Sequence, residues 1–250
     1  VSAMFTAVNF IRTKIRVPVS QLLPYSSLLV PFTYFFHKNS NKRPTEIQAK
    51  LLIQFFYWVG LNNRYSSATE TKIGEDLKKM NQILKERQPK YSTDELSVEY
   101  RDIAESWFSA GNSYIKSVLC LLASHKPRNL DDDSDVVLDN SNLKIASSRN
   151  YHHFFPKAYV AKKHPSLEPN VIGNITLIDA ASNNKIRAKA PSLYVSEFKD
   201  TNSKLSGSLR SHLIGNPKGF GILDDDYELF LKRRSEAIAD ALNEALNPEI

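Results

Sequence analysis

The segment Tyr151-His152-His153-Phe154-Phe155-Pro156 holds the residues of this sequence best suited to chemistry. Two adjacent histidines are followed by Asn174, 21 residues after His153, and by Asn183, nine residues further on. A histidine of ordinary pKa, about 6.5, is neutral at working pH and can take a proton from water. A second histidine and an amide oxygen can hold one divalent cation, leaving positions for water and phosphate oxygens. Phosphodiester hydrolysis needs both: a base for the attacking water, and a cation for the charge on the pentacovalent phosphorus and the departing oxygen. Neighbouring side chains of a strand point to opposite faces, so a bend or bulge is expected to let both rings approach one centre. Pro156, three residues after His153, suits such a bend.

The other candidates are weaker. His37, His125, His164 and His212 stand alone, and a lone histidine is more often surface or satisfied core than a ligand. Cys120 is the single cysteine, which excludes an internal disulfide and a cysteine-based zinc cluster. It lies in the apolar run Ser117-Val118-Leu119-Cys120-Leu121-Leu122 and reads as an inert buried thiol. Arg64-Tyr65-Ser66-Ser67 could touch a backbone phosphate, but a loop cap is the better reading.

Charge narrows the setting. The chain has 250 residues and a net charge of +6, with 33 Lys and Arg against 27 Asp and Glu. Residues 1–125 carry all of that excess, 16 basic against 10 acidic, while residues 126–250 balance at 17 of each. Inside the second half, Lys144 to Lys218 holds 12 basic residues and four acidic ones, a local +8. Acidic clusters flank it: Asp131, Asp132, Asp133, Asp135 and Asp139 before, Asp224, Asp225, Asp226 and Glu228 after. A charge run is usually a solvated face, but a basic island around the histidines suits a polyanion.

The elements that must position these residues follow from periodicity. The first half reads as helical: Met4–Ile11, Thr45–Val59 after Pro44, Thr69–Leu84, and one or two helices over Asp102–Leu122 with a break near Gly111. The aromatics Phe32, Tyr34, Phe35, Phe36, Phe55, Phe56, Tyr57 and Trp58 read as core. Pro127 to Asn142, rich in Asp, Asn and Ser, is the expected boundary. Beyond it, Asn150–Phe155 and Ile175–Ile178 suit strands, Ala158–Lys163 a short helix or loop, and Asp179 an N-cap for a helix through Asn183 and Ile186. Tyr227–Leu246 reads as an amphipathic helix with Leu231, Ile238, Leu242 and Leu246 inward. The fold class expected is α+β and mainly α-helical: a helical domain over 1–126, an acidic linker over 127–142, and a smaller domain over 143–250 ending in a helix. No stretch reaches the roughly 18 apolar residues that cross a membrane. The start at Val1, without a signal-like leader, reads as a cytoplasmic protein and a fragment lacking an N-terminal part.

Taken together, His152-His153-Phe154-Phe155-Pro156, Asn174-Ile175-Thr176-Leu177-Ile178 and Asn183-Asn184-Lys185 resemble the HNH nuclease motif, also called the ββα-metal or His-Me finger. The resemblance implies His153 as general base, His152 as metal ligand, Asn174 as a brace between the strands, and Asn183 on the helix completing the metal site. Phe154-Phe155-Pro156-Lys157 followed by Lys189-Ala190-Pro191-Ser192-x-Tyr194 is similar to the C-terminal nuclease domain of GmrSD-type modification-dependent restriction endonucleases. Leu23-Pro24-Tyr25-x-x-Leu28-Leu29-Val30-Pro31, Arg64-Tyr65-Ser66-Ser67 and Asp226-Tyr227-Glu228-x-Phe230-Leu231-x-x-Arg234 resemble other parts of that family, so the likeness runs through most of the chain.

What the resemblance implies is a metal-dependent DNA endonuclease, the nuclease portion of an anti-phage restriction protein. Its cofactor would be a divalent ion, Mg²⁺ first, with Mn²⁺, Ni²⁺ or Zn²⁺ as alternatives. Its partners would be DNA, plain or modified, and an N-terminal nucleotide-hydrolysing domain. No Walker-type phosphate loop occurs in this sequence, as expected if that domain is missing. Lys185, Arg187 and Lys189 are candidates to grip phosphates, though each is as readily plain surface. Two other readings stand beside this one: an inactive DNA-binding or interaction module with a degenerate site, and a structural zinc site of His152, His153 and a third histidine such as His212.

Overall fold

A computed structural model describes residues 1–92, 94–138 and 151–250. Residues 139–142 of the expected linker, the start of the domain expected from residue 143, Lys144, Arg149 and the first residue of the strand expected at Asn150 lie outside the described residues. The architecture is α+β and mainly helical. In chain order the elements are α1 (Ser2–Phe10), α2 (Leu29–Lys38), α3 (Glu46–Leu61), α4 (Thr69–Leu84), α5 (Tyr100–Glu105), α6 (Ser113–Ser124), β1 (Tyr151–His153), α7 (Lys157–Lys163), β2 (Ile175–Leu177), α8 (Ala180–Ile186), α9 (Pro191–Thr201), α10 (Leu205–Arg210) and α11 (Tyr227–Leu246). Among the described residues no helix is long and apolar enough to cross a membrane.

The chain divides into two compact units that are not contiguous in sequence. One comprises Val1–Val98, Asn112–Cys120 and Ala241–Ile250, the other Glu99–Gly111 and Leu121–Asp240. Two of the unit boundaries fall within helices α6 and α11, which contribute residues to both units, and none falls at 126 or 143. Residues 127–138, expected as linker, belong to the second unit. There Asn129 Nδ2 donates to Asp179 Oδ2 at 2.9 Å and Asn202 Nδ2 to the Leu130 carbonyl at 3.0 Å.

The first unit is built on aromatics. Phe32, Phe35, Phe36, Phe55, Phe56 and Trp58 are buried on α2 and α3, as their helical spacing requires. Thr45 caps α3, its hydroxyl accepting from Gln48 N while Gln48 Oε1 accepts from Thr45 N, a reciprocal box that satisfies two orphan amides. Buried Asp76 on α4 accepts from Arg64 Nε at 3.1 Å, Arg64 Nη2 at 3.0 Å and Tyr65 Oη at 2.9 Å. The Arg64-Tyr65 pair therefore anchors α4 from within, as a structural residue pair.

In the second unit, Phe154 and Phe155 anchor a core with Ile178, Tyr194, Tyr227 and Phe230. The rings of Phe154 and Phe230 stack at 4.7 Å between centroids. β1 and β2 form a two-stranded antiparallel sheet, pairing Tyr151 with Leu177, His152 with Thr176 and His153 with Ile175. Asp179 holds the N-cap position of α8 without capping through its side chain, because its carboxylate is taken by Asn129. Pro191 opens α9 at a helix start, where its missing N–H costs no hydrogen bond.

Candidate functional site

The sheet and the loop between its strands carry three of the four motif residues. Successive residues of β1 face opposite ways, and the three pairs keep regular register. The bulge expected to bring both rings to one centre is therefore absent from the described strand, and His152 and His153 have different surroundings.

His152 faces inward and is 3% exposed. Its Nδ1 lies 3.1 Å from Thr176 Oγ1, directly across the strand pair. Thr176 Oγ1 also donates to the His152 carbonyl at 3.3 Å, so its lone pairs are left to accept the Nδ1 proton. That leaves Nε2 with a bare lone pair, buried and without a hydrogen-bond partner among the described residues. Burial first, then the neighbouring His153, His212 and Arg234, push the His152 pKa down to about 3. A neutral ring with one nitrogen tethered and the other bare has the form of a histidine metal ligand.

His153 is half-buried, and its Nε2 lies 3.0 Å from Asn170 Oδ1. The Phe108 ring meets it edge-on at 6.4 Å. Burial lowers its pKa to about 4, against the opposing pull of the Asn170 hydrogen bond, so the ring is neutral at ordinary pH. Fully buried Asn174 ties the loop together. Its Oδ1 accepts from Phe155 N at 2.9 Å, and its Nδ2 donates to the carbonyls of Phe155 and Pro169, each at 3.0 Å. Its own carbonyl accepts from Phe154 N at 2.9 Å. The side chain spans the loop from Phe155 to Pro169, so both ends of the loop that follows the histidine pair are held by one amide. Asn183 stands half-buried on α8, which follows β2 after only Ile178 and Asp179.

Of the three cations near α8, two are engaged. Lys185 pairs with buried Asp131, which also accepts from Ser182, and Lys189 pairs with Glu197 at 2.5 Å. Arg187 is exposed, with Nε donating to the Asn184 carbonyl at 3.2 Å. The three line one open cleft that Asp131, Asp132 and Glu197 also line, so the basic island is locally balanced there.

Residues that sequence reasoning assigned no role support the pair. Asn170 and Thr176 bind the two rings, and Arg234 braces the hairpin from α11. Arg234 is completely buried and donates to the carbonyls of His212 at 3.1 Å, Gly173 at 2.6 Å and Ile175 at 2.5 Å. The signal for Arg234 was present: it falls on the apolar stripe of α11, between Phe230 and Ile238. Gly173 permits the close approach, since a Cβ there would stand 2.6 Å from Ser235 Oγ and 2.8 Å from Leu231 Cδ1. Among the described residues no three His, Cys, Asp or Glu side chains gather to hold a metal ion. The zinc reading thus lacks its ligand set there: His212 Nε2 is spent on the Arg128 carbonyl at 2.8 Å and His153 on Asn170.

The chain is similar to the uncharacterized protein MJ0686 of Methanocaldococcus jannaschii, 24% identical over 255 residues that cover 90% of this chain. It spans 41% of the length of that relative. No family model matches the chain, and no solved structure matches it.

Proposed function

We propose that this chain is a metal-dependent DNA endonuclease of the HNH type, acting in the cytoplasm as the nuclease portion of a restriction protein. The observation that carries the reading is the paired-strand site itself. His152 offers a bare buried Nε2, His153 presents a second neutral imidazole one residue on, and Asn174 clamps the loop that follows them. His152 and the side-chain oxygen of Asn183 would hold a divalent ion, Mg²⁺ first. When bound, the ion supplies Lewis-acid stabilisation of charge on the scissile phosphate and the departing oxygen.

The chain's own residues do the rest. His153 takes a proton from water as the water oxygen bonds to phosphorus and the bond to the 3′ oxygen breaks. The leaving oxygen takes one proton from solvent, and His153 gives the proton it received back to solvent. Asn174 keeps the histidine pair in place relative to the loop. Recognition of modified bases and any nucleotide-driven gating belong, on this reading, to a further domain.

A second reading, an interaction module with an inactive site, is favoured by the pairing of Lys185 and Lys189 with carboxylates. One assay separates the two. Supercoiled plasmid, plain and modified, is incubated with the chain in Mg²⁺ or Mn²⁺, with EDTA controls and His153→Ala beside wild type. Cleavage lost with EDTA and with His153→Ala supports the nuclease. DNA binding without cleavage by the wild type supports the inactive module.

A further inference from the structure

Asn170 sits in the loop before β2, is 7% exposed, and is held on every side. Its Nδ2 donates to the Phe108 carbonyl at 3.2 Å, and its backbone carbonyl accepts from Phe108 N at 2.8 Å. Its backbone N–H donates to Glu168 Oε1 at 2.7 Å. With Nδ2 committed to a carbonyl, the amide cannot turn over without setting an acceptor against an acceptor. Oδ1 therefore faces the His153 ring, 3.0 Å from Nε2. An amide oxygen only accepts, so Nε2 carries the ring proton and Nδ1 carries the free lone pair.

We propose that Asn170 is the positioning residue of His153: it holds the ring in the Nε2–H tautomer, so that Nδ1 is the atom that receives the proton of the attacking water. This rests on the nuclease reading for its chemistry, but the tautomer itself does not. The bond does two things. It prevents rotation of an imidazole that the antiparallel pair otherwise fixes only at its backbone. It also stabilises the imidazolium formed when Nδ1 is protonated, because Nε2–H donates to Oδ1 more strongly from a charged ring. Phe108, edge-on to the ring and bonded twice to Asn170, completes the frame.

The test is long-range ¹H–¹⁵N correlation spectroscopy on the whole chain labelled at histidine, with the His153 signals assigned by their loss in His153→Ala. Wild type is expected to show Nε2 protonated and Nδ1 bare. Asn170→Ala is expected to give a mixture of tautomers, and Asn170→Asp, which keeps an acceptor at Nε2 although its second oxygen opposes the Phe108 carbonyl, to keep Nε2 protonated. In plasmid cleavage, Asn170→Ala is expected to lower kcat by about tenfold or more with KM nearly unchanged, and Asn170→Asp to recover much of it. An Nδ1–H ring in wild type overturns the proposal without any variant. So does a wild-type tautomer or an unchanged kcat in folded Asn170→Ala. If wild type cuts no DNA, the nuclease reading falls, and the tautomer populations alone decide whether Asn170 sets the ring.

Discussion

Arg234 Nη1 donates to the carbonyl oxygen of Gly173 at 2.6 Å, one residue before the asparagine that clamps the candidate site. The same guanidinium reaches the Ile175 carbonyl, so the backbone on either side of Asn174 hangs from one buried side chain of α11. Burial pushes the Arg234 pKa down to about 9, and its charge is met by carbonyl dipoles. Arg234→Met keeps the volume and removes every donor, leaving three buried carbonyls unpaired. It is expected to cost about 3 kcal/mol or more in urea unfolding. A loss below about 1 kcal/mol would show that the carbonyls find other partners.

Asn174 is expected to be intolerant of its closest replacement. Asn174→Ala removes three hydrogen bonds and should cost about 2–3 kcal/mol. Asn174→Asp keeps the bond from Phe155 N but turns a carboxylate oxygen toward the carbonyls of Phe155 and Pro169. The aspartate variant should therefore be no more stable than the alanine one at pH 7, and should recover relative to it as the carboxyl protonates. Thermal unfolding of both variants at pH 7 and pH 4 checks the order.

His212 makes stability depend on acid. The ring is buried, its Nε2 donates to the Arg128 carbonyl, and burial, with Arg234 nearby, holds its pKa down to about 4. The unfolded chain binds the proton at about 6.5, so it carries more protons than the folded one between these values. Stability is full above about pH 6.5 and falls as pH drops toward 4, by on the order of 3 kcal/mol for this group. His212→Gln, which keeps an N–H near the Nε2 position, should flatten part of that slope. An unchanged slope in denaturant titrations from pH 7 to 4.5 would falsify the assignment.

Asp76 should matter to the first unit far more than a surface acid would. It is fully buried and receives Arg64 and Tyr65 together. Asp76→Ala takes the acceptor from buried Tyr65 Oη and leaves the largely shielded Arg64 only Glu75, 2.7 Å away, and is expected to destabilise by about 2 kcal/mol or more. Pairing it with Arg64→Met should recover part of the loss, because both members of the ion pair are then gone. Strictly additive losses in that double-mutant cycle would contradict the coupling.

Periodicity alone placed several elements well. Thr69–Leu84 is a helix over those residues, Tyr227–Leu246 likewise, and the aromatics of α2 and α3 form core, because apolar spacing at 3.6 residues leaves a helix little choice; the exception is half-buried Tyr34, whose hydroxyl donates to Asn81 Oδ1 instead. α9 and α10 carried weaker signals, since short amphipathic helices gain their stability from the core they cover. The non-contiguous units were hidden for a related reason: α6 and α11 each run unbroken through a unit boundary, and the composition shift near Pro127 marks no break in packing.

The site divides in the same way. The types and spacing of His152-His153, Asn174 and Asn183 were enough to mark them as candidates for chemistry. Only the tertiary structure decided what each nitrogen does. Thr176 is opposite His152 through strand register, Asn170 reaches His153 because Phe108 holds it, and Arg234 arrives from a helix some sixty residues on. It also paired Lys185 with Asp131, 54 residues earlier in the chain, which no count of local charge could reveal. Hydrogen bonds and ion pairs depend on direction and distance in space, and the order of residues along the chain carries neither.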